Sequence, residues 1–319
     1  MDILDWLFDS DPAIAWQAMR DLTDASPTAV AAERARIPHE GLGSAILSAQ
    51  QPDGSWRRPN IPVWRSTLFT FLLLRATGID PAEPAVKSAM ARLETGLRWN
   101  NLDGRWDLRP PHTGGNTFFE GEVEPCINGG ALAVGSSFGR PSEHLAHRLL
   151  AEQLEDGGWN CEAPKSCHSS FHTTICVLEG LLEYERAVGS SRNIAAARQR
   201  GEEYLLKRSL FRRQSTGEVA NAEFLQLAFP PRYRYDILRA LDYFRAAGAP
   251  PDARMADAVS FIETKRQPDG RWLLDRSYDE TITTPLAEIV AEPSRWITLR
   301  ALRILRWCGR HAPESTSTA

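Results

Sequence analysis

A short phrase that turns the chain and ends in tryptophan occurs four times along these 319 residues. It reads Gln51-Pro52-Asp53-Gly54-Ser55-Trp56, then Asn101-Leu102-Asp103-Gly104-Arg105-Trp106. It returns as Gln153-Leu154-Glu155-Asp156-Gly157-Gly158-Trp159 and as Gln267-Pro268-Asp269-Gly270-Arg271-Trp272. Asp-Gly reverses the backbone, because glycine takes the left-handed conformation without steric cost and commonly closes helices there. Copies follow helical patterns such as Leu145 to Gln153 or Ala256 to Lys265. Gly54, Gly104, Gly157 or Gly158, and Gly270 are therefore expected to end helices, with the tryptophan covering the end of a helix pair. Self-similarity of this kind marks a repeat architecture.

Between the copies lie helical patterns rich in small and apolar residues. They begin near Trp16, Trp64, Cys126, Phe171, Tyr233 and Trp296. Helices apolar on most faces are buried ones. The segments Glu143 to Glu155, Asn193 to Lys207 and Asp252 to Lys265 carry polar faces, as outer helices do. Six inner helices alternating with about six outer ones predict an all-α fold. Such an array makes a closed ring or an open solenoid, and six pairs with no further repeats favour closure. The expectation is an α/α6 barrel, or toroid, in a single domain over 1–310, with a flexible tail at 311–319.

Charge and cysteine usage narrow the function classes. The net charge of −4 is spread without blocks, and no basic stripe interleaves with aromatics, so nucleic acid is not an expected partner. The densest apolar run, Leu68 to Leu74, is too short to span a bilayer. The start, Met1-Asp2-Ile3-Leu4-Asp5, lacks the basic and apolar regions of a signal peptide. A cytoplasmic protein without a transmembrane segment is expected. Five cysteines, an odd number, argue against a disulfide framework there and leave metal, catalysis or packing.

The Gln-x-x-Asp-Gly-x-Trp phrases resemble the QW repeats of squalene and oxidosqualene cyclases, and the related repeat of protein prenyltransferase β subunits. The resemblance spans roughly residues 10 to 308. It implies a central cavity lined by the inner helices, opening where they begin, and an apolar isoprenoid-type substrate handled by a transferase or cyclase. The Asp-x-Asp-Asp acid of the class II cyclases is absent; Asp275, Asp279 and Glu280 form the nearest acidic cluster, differently spaced.

Thiols and imidazoles gather around the middle of the chain. Zinc favours four tetrahedral ligands from such groups, and Cys126, Cys161, Cys167 and His172 are the expected set, with His168 the alternative to His172. The prenyltransferases hold zinc through an Asp-x-Cys pair and a His on the next inner helix. Glu124-x-Cys126 and His172 resemble that layout, with Glu in place of Asp. The extra thiols Cys161 and Cys167 would make a closed, structural coordination instead, so both roles stay open. Cys176 and Cys308 are expected to be packing residues.

Glu122, Glu124 and Asp236 are the candidate acids or bases, near the starts of inner helices, where carboxylates also favour the helix dipole. Trp64, Arg65, Tyr233, Tyr235 and Trp296 are the candidate substrate-binding residues. Aromatic faces suit a hydrocarbon or a carbocation. Arg65, Arg232, Arg234 and Arg295 beside them suit an anionic group such as a diphosphate. Two other functions fit the same pattern. A carbohydrate-active α/α barrel would set Glu124 across the cavity from Asp236 or Glu280. A non-catalytic binding scaffold would use zinc only as a staple. The oligomeric state is not legible.

Overall fold

The computed structural model describes residues 2–102 and 105–310. The expected tail at 311–319 and the pair Asp103-Gly104 lie outside the described residues. The structure is 54% helical, with thirteen α-helices among the described residues. Each of the six apolar segments contains one: α2 (Pro12–Leu22), α5 (Val63–Thr77), α7 (Pro125–Ser137), α9 (Phe171–Val188), α11 (Ile237–Ala247) and α13 (Arg295–Trp307). Other helices stand between them: α4 (Gly41–Ser48), α6 (Pro84–Gly96), α8 (Glu143–Ala151), α10 (Arg192–Leu206) and α12 (Ala256–Thr264), all but α4 carrying charged residues. Two further helices, α1 (Ile3–Phe8) and α3 (Pro27–Arg34), flank α2.

The helix starts follow capping chemistry. Asp11, Ser170, Asp236 and Ser294 accept backbone N–H donors at the first turns of α2, α9, α11 and α13, and Pro125 opens α7. One start differs from expectation. α11 begins at Ile237, four residues after Tyr233, because Pro230-Pro231 and the left-handed Arg232 hold an extended entry and Asp236 supplies the cap.

Three of the four tryptophan turns share one geometry. Gly54, Gly157 and Gly270 have φ of +86°, +101° and +85°. The indoles of Trp56, Trp159 and Trp272 are wholly buried, and each donates to the carbonyl ten residues earlier in the preceding helix: Ile46 at 2.8 Å, Leu149 at 2.6 Å and Ile262 at 2.7 Å. The backbone N–H of each tryptophan donates to a threonine hydroxyl of the next apolar helix, on Thr67, Thr174 and Thr298. Turn, outgoing helix and incoming helix are thereby tied at one point.

The second copy does something else. α6 ends at Gly96, and the chain enters a small antiparallel sheet of order β2-β1-β3, with β1 (Arg98–Leu102), β2 (Arg105–Arg109) and β3 (Asn116–Thr117). Trp99 pairs with Leu108, both buried, while Trp106 is 36% exposed. Trp99 takes the core position, its indole donating to the Phe118 carbonyl at 3.0 Å. The expectation that Gly104 ends a helix thus falls on a residue outside the described set, between two strands.

Successive apolar helices pack on one another. α5 lies on α7, α7 on α9, α11 on α13, and α13 returns to α2. Trp16 and Gln17 of α2 donate to the carbonyls of Thr77 and Ala76 at the end of α5. α7 and α9 approach most closely: a Cβ on Gly129 would sit 2.5 Å from the Cys176 carbonyl oxygen, and one on Gly180 2.5 Å from that of Gly129. Only glycine fits a backbone contact that close.

Candidate functional site

The starts of α5, α7 and α9 and the Arg232–Tyr233 entry to α11 surround a cavity of about 390 Å³. Its apolar wall comes from Trp64, Leu68, Phe69, Leu72, Ile127 and Tyr233. Phe69 links the rings, 5.9 Å from Trp64 and 6.2 Å from Tyr233 between centroids. The polar wall comes from Arg65, Glu124, Cys126, Cys161, His172, Arg232 and the ion pair of Glu179 with Arg239, among others.

Glu124 caps α7 as its last non-helical residue, and Cys126 is the second residue of that helix. Cys161 arrives from the turn after Trp159. Donor atoms of Glu124, Cys126 and Cys161 all lie within 4.8 Å of one another. The Cys126 thiol points at the Glu124 carboxylate at 3.7 Å, and Cys161 at the Thr173 hydroxyl at 3.4 Å. The two neighbouring thiols shift each other, Cys126 upwards and Cys161 downwards, which makes Cys161 the easier to ionise. Cys167 is exposed and stands outside this group, as does His172. The His172 ring lines the same cavity, but its Nδ1 accepts the Tyr235 backbone N–H at 2.8 Å. Burial, then Arg234 and Arg239, push its pKa down to about 4, so it is neutral with the proton on Nε2.

The other candidates divide. Trp64, Arg65 and Tyr233 face this cavity; Tyr235 is buried, donating to the Leu210 carbonyl at 2.5 Å. Trp296 stacks on Phe229 with centroids 4.4 Å apart and lines a second cavity. Glu122 is 2% exposed and turned into the chain, accepting the N–H groups of Val123 and Glu124 at 2.5 and 2.7 Å. Burial pushes its pKa up to about 7. Asp236 caps α11 through Oδ1, with Oδ2 buried and unpartnered; burial raises its pKa to about 6. Neither Glu122 nor Asp236 lines either cavity, so Glu124 is the candidate carboxyl at the cavity wall. Glu280 pairs with Arg232 at 2.6 Å and is largely exposed.

Sequence reasoning missed the floor. Glu179 and Arg239 form a two-pronged pair, both bonds 2.8 Å, and Arg239 also donates to the Arg234 carbonyl. Burial pushes the Glu179 pKa up, but the Arg239 guanidinium overcomes that and holds it below the usual carboxylate range. The available signal was a charge on the apolar stretch of each of two helices, Glu179 between Leu178 and Gly180 and Arg239 between Leu238 and Ala240, which requires a partner in the interior.

No protein-family profile matches the chain, and no curated protein matches it by sequence. Solved structures overlap with it in part. A protein of known crystal structure from Actinoplanes is 17% identical, with a TM-score of 0.46, 93% of this chain and 89% of that one covered. The type II terpene cyclase MstE from Scytonema, in complex with its product merosterolic acid A, is 16% identical, with a TM-score of 0.48 over 93% and 86%. The same enzyme with geranylgeranyl dihydroxybenzoate is 17% identical, with a TM-score of 0.47 over 94% and 87%. Overlaps of that size leave chemistry open. No described helix is long and apolar enough to cross a membrane.

Proposed function

We propose that the chain closes into an α/α6 toroid that takes an apolar, isoprenoid-type molecule into the cavity at its helix starts, with zinc held at the wall by Glu124, Cys126 and Cys161. One juxtaposition supports this above all: three convergent metal-ligating groups open into a cavity faced by Trp64, Phe69, Tyr233 and aliphatic side chains. Two thiols and a carboxylate suit zinc and are too soft a set for magnesium or calcium. Three protein donors leave one tetrahedral position free, the arrangement of catalytic zinc sites, whereas a fourth from Cys167 or His172 would close it. Zinc there supplies a Lewis acid.

The chain's own residues do the rest. Thr173 orients the Cys161 thiol, the aromatic faces hold hydrocarbon, and the Glu179–Arg239 pair closes the floor with its charges spent on each other. Transfer or cyclisation of the bound molecule is the corresponding activity, with Glu124 the carboxyl nearest the bound chain.

The test pairs metal analysis with binding. Purified protein is expected to carry about one zinc per chain. Cys126→Ser and Cys161→Ser should lose it, and Cys167→Ser should keep it. A fifteen-carbon prenyl alcohol should quench tryptophan fluorescence saturably, about tenfold more weakly in Trp64→Ala. Folded protein that binds oligosaccharide and ignores the prenyl alcohol would defeat the isoprenoid assignment, and folded metal-free protein would defeat the zinc assignment.

A further inference from the structure

On the other side of the Glu179–Arg239 pair lies a larger cavity of about 530 Å³, at the C-terminal ends of the apolar helices. Phe69, Leu72 and Arg232 share its boundary with the first cavity, as do Glu179 and Arg239 themselves. Its character is the reverse. Nine arginines line it against three carboxylates, Glu179, Glu183 and Asp242. Asp21 and Glu280, just outside the wall, pair with Arg20, Arg303 and Arg232 and bring the acids to five.

We propose that this cavity binds a compact polyanion of the diphosphate class, gripped by the arginines around Asp242. Asp242 is the organiser. Arg245, Arg300 and Arg303 all contact its one carboxylate; with Arg20 and Asp21, which also reaches Arg303, the cluster sets four arginines against two carboxylates, two surplus positive charges. Arg300 is 7% exposed and spends only its Nε on Asp242, at 3.3 Å. Its two terminal nitrogens have no protein partner among the described residues, and its side chain faces the cavity. Arg245 is alike, bonded to Asp242 through Nε alone at 3.0 Å. Guanidinium groups that face a cavity with unspent donors offer them to an anion entering it. The planar fork of arginine matches phosphoryl oxygens two at a time.

Helix C-termini attract cations through their dipoles, and that accounts for arginines in last turns such as Arg20, Arg75 and Arg245. It does not account for Arg300, which sits mid-helix in α13. Arg20 and Arg186 at the rim are roughly half-exposed, so an anion entering from solvent meets positive charge first. The assignment stands independently of the isoprenoid cavity.

Calorimetric titration of the full chain with inorganic diphosphate tests it, with orthophosphate and sulfate at matched ionic strength as comparators. Diphosphate should bind at one site, about tenfold tighter than either comparator, and weaken as salt rises. Arg300→Gln leaves Asp242 two arginines, so the variant should fold with an unchanged or raised melting temperature and bind diphosphate about tenfold more weakly. Arg20→Gln, at the exposed rim, should weaken binding about threefold and serves should Arg300→Gln fail to fold. Absence of saturable binding at low salt, or equal affinity for all three anions, would overturn the proposal. So would an Arg300→Gln protein that is less stable but binds as before, since that is how a purely structural arginine behaves.

Discussion

Replacing glycine by alanine at two equivalent turns should give unequal costs, because only one turn is pressed against backbone. At Gly270 the φ of +85° penalises a Cβ by about 1–2 kcal/mol. The new methyl would meet only the Arg266 Nη2 at 3.2 Å and the Ile3 Cδ1 at 3.4 Å, both ends of side chains that can move. The cost should stay near about 1 kcal/mol. At Gly54 the φ is the same within a degree, so the backbone penalty is the same. Its Cβ, however, would lie 2.3 Å from the Leu93 nitrogen and 2.5 Å from the Arg92 carbonyl carbon, in the backbone of α6. A helix must shift to admit it, which adds about 1–3 kcal/mol of overpacking. Urea unfolding followed by tryptophan fluorescence reads the difference. With a slope of about 3 kcal/mol/M, Gly270→Ala should lower the midpoint by about 0.3 M and Gly54→Ala by about 1 M, at unchanged slope. Equal shifts, or a larger one at Gly270, would refute the idea that contact with α6 rather than turn conformation sets the difference.

Two further outcomes follow from named groups. Burial raises the Asp236 pKa from 3.8 to about 6 against the pull of Arg300 and Arg239, so its neutral form favours folding below 3.8 and that contribution is lost as pH rises through 6. Asp236→Asn keeps a capping oxygen and should match the native protein near pH 4 but exceed its stability by on the order of 2 kcal/mol at pH 8; a constant difference across that range in a pH series of melts would exclude this titration. Trp159→Phe leaves the Leu149 carbonyl without its donor and should cost about 2–3 kcal/mol, whereas Trp106→Phe on the exposed hairpin should stay within about 0.5 kcal/mol, both measured by urea unfolding.

The helices were legible because their signals are local. Asp-Gly turns, capping residues and runs of small apolar residues all act within a few positions, and all six apolar segments became helices. The hairpin was hidden by the repeat itself: Asn101 to Trp106 matches the phrase, yet the same segment holds Asp-Gly between Trp99 and Leu108, a two-residue hairpin pattern. Of the site, Glu124 and Cys126 were legible because they sit at the start of α7, and Cys161 because the turn after Trp159 brings it back to them. Cys167 could not be placed, since a loop's direction is set by packing rather than spacing. Tyr235 and Asp236 fall to the interior because α11 begins later than its apolar pattern suggested. The interior ion pairs were beyond reach for another reason. Which arginine finds which carboxylate depends on helix rotation, as with Arg300 and Asp242, 58 residues apart.

The contact between α2 and α13 fixes when folding can finish. Arg303 reaches Gln17 across 286 residues of chain. On a ribosome adding about 5–20 residues per second, α2 emerges tens of seconds before α13 exists. Throughout that interval Gln17 and the face of α2 that packs on α13 lack that partner. Each tryptophan turn can lock its own helix pair as it leaves the tunnel, but the seam between α2 and α13 closes only once α13 has followed.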